Sequence, residues 1–258
     1  MLRLSYPTLI AVVFLLSAPA TYAQQGNGVG YLPPIISKLL DEAQCPITTT
    51  ATTLVGDQIV SSQADLKALT GITKVDGSLR ILNDTVKTLD FSALDSLIEV
   101  ESIIIEAEQL VAIDGFNCLS SVGFNLQLRF TASLTTITGF AALTSVGNIL
   151  IIDSNESLTS ISGFAALTTV GRDLVLRGNA SLETISGFTA LTSVGDDILI
   201  MNNAKLKIIS GFDVINRSGV AGDITVSGNS LLDCSNPVPN FVPVSRSFGN
   251  AVDCLLAS

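Results

Sequence analysis

The pair Gly-Phe stands at positions 115/116, 139/140, 163/164, 187/188 and 211/212, an unbroken spacing of 24 residues. Few folds accept such regularity. A unit of that size cannot bury its own apolar face and gains a core only by stacking on copies of itself, which restricts the chain to a solenoid. The copies overlay as L-x-x-V-G-x-x-L-x-L-x-x-N-x-x-L-x-x-I-x-G-F. Within each copy, the alternating pairs Leu126/Leu128, Leu150/Ile152, Leu174/Leu176, Ile198/Ile200 and Ile224/Val226 have the period of two that marks a strand with one face inward.

The Leu-x-x-Ile that follows, as in Leu158/Ile161, turns the chain around the core, and Gly at the corner permits a tight turn or a positive φ. Earlier coils are less regular: Leu79 and Ile81 fit clearly, Ile103 and Ile105 fit with an open register, and the stretch from Val55 reads as a cap. Strands at Ile59, Leu79, Ile103, Leu126, Leu150, Leu174, Ile198 and Ile224 make about eight coils. The expectation is a mainly β, right-handed β-solenoid. Its single domain covers 45–258, with a cap at 45–70, repeats over 71–232 and a closing segment 233–258.

Residues 1–23 combine Arg3, the apolar run from Thr8 to Leu16 and a small-residue stretch ending at Ala23, the pattern of a secretory signal. The run is too short to span a bilayer, so no membrane span is expected. Residues 24–44 read as a flexible leader. Losing Arg3 takes the formal charge from −10 to −11, and such an acidic surface repels phosphate backbones, which argues against nucleic-acid binding.

The run from Val55 to Ile81, followed by coils of the form L-x-x-VG-x-x-L-x-L-x-x-N-x-S-L-x-x-I-S-GF, resembles the receptor L-domain group of leucine-rich-repeat-like proteins over about residues 55 to 232. The resemblance implies a secreted, non-enzymatic recognition or surface-organising protein at the cell surface or outside the cell. Its partner would be an extracellular protein or cell-surface component. It implies no cofactor.

The chain has no histidine, which removes His-based general-base catalysis and His-containing zinc sites. One enzyme-like constellation remains. Asp173, Asp197 and Asp223 each precede an inward strand residue and would stack about 5 Å apart. Such a column could serve a carbohydrate-active or cation-dependent protein, or consist only of solvated aspartates repeating with the coil. With no Trp for sugar stacking, the carbohydrate reading is the weaker one.

The outward strand positions Gln127, Ile151, Val175, Leu199 and Thr225 form one external column, with Arg129, Asp153, Arg177, Met201 and Ser227 beside it. Ile151, Val175 and Leu199 make an apolar patch suited to a protein partner, and Arg129 and Arg177 would add polar specificity. Strand propensity alone also favours Val and Ile there, and the same face could mediate self-association. Of the four cysteines, Cys234 and Cys254 are expected to staple the closing segment, while Cys45 and Cys118 either bridge or leave Cys118 a buried thiol. Among the sequons, Asn155 and Asn179 lie in the repeat's own Asn column, so Asn83 and Asn216 are the expected glycan sites in a host that modifies them.

Overall fold

A computed structural model describes Cys45, residues 51–212 and 214–232, and the backbone of Arg246–Phe248. The stretches 1–23 and 24–44, expected to be a signal and a leader, and the pair Cys234 and Cys254 lie outside the described residues. Each regular repeat folds into three short strands, for example Ser145–Val146, Leu150–Asp153 and Ser160–Ile161. They are short because a corner interrupts each alternating stretch. Pairing is parallel and shifted by one repeat, so Ile151 lies beside Gln127 on one side and Val175 on the other.

Among the described residues, the stacked coils make two sheets, a long one of 14 strands and a short one of five built from pieces such as Thr136–Ile137 and Thr184–Ile185. All eight strands expected from the sequence are present in the long sheet, running from Gln58–Val60 to Ile224–Ser227 and enclosing seven complete turns. Ile103 and Ile105 point inward, which fixes the register left open by the sequence. Arg246–Phe248 adds a further parallel strand beyond Ile224–Ser227, so pairing continues after the repeat pattern has ended.

The core is a set of columns. Phe91, Phe116, Phe140, Phe164, Phe188 and Phe212 are buried, and successive ring centroids lie 4.8 to 5.8 Å apart. Four of the five contacts are stacked, because one coil's rise matches the spacing of offset aromatic rings. The corner glycines serve clearance. A Cβ on Gly139 or Gly147 would collide with the carbonyl oxygen of Gly115 or Gly123 in the coil before. Positive φ falls on Phe116 and Phe140, at 63° and 64°, and on the glycine itself only at Gly211, at 77°, among the five Gly-Phe pairs.

A buried polar column supplies what the turns lack. The side-chain Nδ2 of Asn155, Asn179, Asn203 and Asn229 donates to Leu128, Ile152, Leu176 and Ile200, carbonyls of the coil before. The Oδ1 of Asn179, Asn203 and Asn229 accepts the backbone N–H of the preceding coil's Asn. Each Asn thereby pairs groups that would be costly to bury unpaired. Thr144, Thr168 and Thr192 act similarly at another corner, donating their hydroxyls to the carbonyls of Ser120, Thr144 and Thr168.

A second corner follows the outward strand. Phe130, Ser154, Gly178, Asn202 and Gly228 all take left-handed backbone, with φ between 55° and 68°. At the N-terminal end, Ser62 caps the short helix Gln63–Lys67 by accepting from the N–H of Asp65. Cys45 and Cys118 are joined by a disulfide with their Cα atoms 5.1 Å apart. No helix among the described residues is long and apolar enough to cross a membrane.

Candidate functional site

The broadest repeated surface is the outward face of the long sheet, where strand pairing sets the spacing of side chains. One column runs Ile59, Arg80, Ile104, Gln127, Ile151, Val175, Leu199 and Thr225. The structure thus brings Ile151, Val175 and Leu199 together on consecutive strands. They are not equally open. Val175, between the other two, retains only 8% of its surface, whereas Ile59 near the end of the stack retains 61%. Ile104, absent from the sequence reading, adds an apolar residue two coils before Ile151, on the other side of Gln127.

The second column reads Leu82, Glu106, Arg129, Asp153, Arg177, Met201 and Ser227. Its charges alternate coil by coil and are paired along the stack. Arg129 Nε lies 2.6 Å from Glu106 Oε1, and Arg177 Nη2 lies 2.9 Å from Asp153 Oδ2. Hydrogen bonding to Asp153, helped by its charge, holds the Arg177 guanidinium pKa above its ordinary value. Arg129 also lies over the Phe130 ring, 5.8 Å from its centroid. The two arginines assigned to polar specificity are therefore already oriented by carboxylates of the preceding coil. Pairing of this kind fixes their direction and removes part of the ordering cost of binding.

The aspartate column forms, with a structural duty. Asp173 Oδ1 accepts the backbone N–H of Asp197, and Asp197 Oδ1 accepts that of Asp223. Asn125 occupies the same place two coils before Asp173 and accepts from Ile149 N–H. The carboxylates that approach one another are a different set, Asp173, Asp196 and Asp197, whose potential ligand atoms lie within 4.8 Å. Asp196 Oδ2 is engaged by Arg172 at 3.3 Å. A cation there would have to compete with the guanidinium and with the backbone amides.

Phe130 was overlooked because the sequence reading followed only alternating positions. It is 56% exposed and sits in a recess of about 560 Å³ whose other side chains include Asp84, Glu106, Glu108 and Glu156. The available signal was an aromatic in a corner where other coils carry Ser154, Gly178 or Asn202.

The sequons divide differently from expectation. Asn155 and Asn179 are fully buried. Asn83, expected to be open, is also buried, at 4% exposure. Its Nδ2 donates to Ser61 O while its Oδ1 accepts from Thr85 and Val86 N–H, so it does the work of the Asn column between the first coils. A glycan would displace these contacts. Asn216 is exposed and caps the short helix Arg217–Gly219.

Comparison of the chain with protein-family models, with curated proteins and with solved structures finds no match in any of the three.

Proposed function

We propose that this chain is a secreted, non-enzymatic recognition or surface-organising protein that binds a protein partner through the outward face of the long sheet. The observation that carries the reading is the in-register apolar run Ile151, Val175 and Leu199, with Ile104 beyond Gln127, beside a ladder of ion-paired charges. An apolar stripe flanked by fixed polar groups has the composition of a binding surface. The sheet is held on both sides by neighbouring coils, so little conformational entropy is lost when it docks. The Cys45–Cys118 disulfide supports an oxidising compartment, as does the signal pattern of residues 1–23. The resemblance to receptor L-domains supports recognition as the task.

The test compares the wild type with a Val175→Arg, Leu199→Arg double variant that keeps its circular-dichroism spectrum, each used to capture proteins from the source's surface and secreted fractions. A protein held by the wild type and lost by the variant is the expected result. Equal capture by both would refute the assignment of this face.

A further inference from the structure

We infer that the partner of this sheet face is a second copy of the same chain, docked face to face about a two-fold axis parallel to the strands and passing between Leu126–Arg129 and Leu150–Asp153. The inference rests on the reading of this face as a recognition surface and names its occupant. Its basis is the order of side chains along the two outward columns.

Glu106, Arg129, Asp153 and Arg177 lie on four consecutive coils with alternating sign. An alternating ladder with an even number of members is complementary to its own reversal. A two-fold axis along the strands preserves strand direction and reverses coil order, so each column meets itself. Arg129 then faces Asp153 of the second copy, and Glu106 faces Arg177. Continuing outward, Leu82 meets Met201, and in the other column Ile104 meets Val175, apolar against apolar in each case. Gln127 meets Ile151, and the Arg80 stem meets Leu199. An axis along the stack would instead bring Ile151 against Asp153 and Val175 against Arg177. That arrangement buries charge on apolar surface and is disfavoured.

The internal ion pairs help this docking, because they already hold both arginines over the face. In the dimer each pair joins the opposite pair of the second copy into a four-charge network. An isologous interface of this kind closes on itself and leaves no patch for further addition.

Size sets the strength. Eight strands at about 4.8 Å spacing and four residues at about 3.3 Å give a footprint of roughly 500 Å² per copy. The total of roughly 1,000 Å² is below the about 1,200–2,000 Å² of stable complexes, so the dimer is weak and reversible, populated at high local concentration.

The test is sedimentation equilibrium of the secreted full chain across a wide concentration range, with Glu106→Arg and Arg177→Glu measured singly and mixed. Each variant alone places like charges opposite one another at two symmetry-related points and is expected to weaken dimerisation by about tenfold. An equimolar mixture restores attraction at both points and binds more tightly than either variant alone, an outcome specific to this register, while the internal pairs lost with Glu106 and Arg177 keep it below the wild type. A mixture no tighter than either variant, or a wild type that stays monomeric throughout, overturns the inference. Should either charge variant lose its fold, Ile104→Thr keeps a β-branched residue while removing the contact with Val175 of the second copy. It must then weaken the dimer, and an unchanged affinity overturns the inference. A monomeric wild type that still captures a foreign protein through Val175 and Leu199 would defeat the dimer and leave the recognition reading standing. A monomer with no face-dependent capture would defeat both.

Discussion

Replacing Asn179 by Ala should cost far more stability than its small volume suggests. The side chain is fully buried and makes five hydrogen bonds: Nδ2 to Ile152 O and Arg177 O at 3.0 Å each and to Asn203 Oδ1 at 3.3 Å, and Oδ1 from Asn155 N at 3.1 Å and Asn155 Nδ2 at 3.2 Å. Not all are lost at full cost. Arg177 O keeps the N–H of Ser154, and Asn155 Nδ2 keeps Leu128 O. The unavoidable loss is Asn155 N–H, a buried donor left without its acceptor, together with the weakened environment of Ile152 O. An orphaned buried group costs about 1–3 kcal/mol, so the variant should lose about 2–4 kcal/mol. Urea denaturation followed by far-ultraviolet circular dichroism, with the slope compared between variants, measures it. Asn179→Asp adds an internal control. Burial raises the folded-state pKa of the new carboxyl above the ~3.9 of the unfolded chain, and the protonated form can again donate, so its penalty should shrink as pH falls. A loss below about 0.5 kcal/mol for Asn179→Ala would refute the argument, since that is the range of surface substitutions.

Phe188→Ala, which empties one place in the ring column between Phe164 and Phe212, should cost about 3–5 kcal/mol in the same assay. Cys118→Ser opens a disulfide closing a separation of 73 residues, and the loop-entropy relation puts the loss at up to about 4 kcal/mol. Limited proteolysis should place the weakening in the coils before residue 118. The Asp65 pKa is lowered chiefly by the backbone hydrogen bond from Ser61, with the Ser62 and Ser61 hydroxyls adding to it. The stabilisation is therefore present above the unfolded value of about 3.8 and lost as pH falls through the lower folded value. Asp65→Asn should make the N-terminal coils less sensitive to acid below pH ~4, as amide exchange in that segment would report.

The stacking of coils was legible because the five Gly-Phe pairs are in phase, and a fixed spacing of 24 also dictates which outward residues become neighbours. Ile151, Val175 and Leu199 could be placed side by side without coordinates. Polar detail was less accessible. Asn83 follows Ile81 by two positions whereas Asn155 follows Ile152 by three, because the early coil lacks the left-handed corner residue, so Asn83 looked off-column and open. For the aspartates, the pattern gave the column but not the amide of the next coil within reach of each carboxylate. Gly at the corner suggests a local backbone need, and Gly211 at φ 77° has one, whereas at Gly139, Gly147, Gly163, Gly171 and Gly195 the constraint is a carbonyl 24 residues earlier. Contacts across coils account for each of these differences, and a reading of one repeat at a time does not contain them.

The direction of the Asn column has a consequence for synthesis. The N–H of Asn155 is satisfied by Asn179 and that of Asn179 by Asn203, so each coil receives its acceptor from the one made after it. On the ribosome, the newest coil always lacks that bond until 24 more residues have emerged, about 1–5 s at ordinary elongation rates. The growing protein therefore carries one unfinished turn at its leading end, and folding trails translation by one repeat.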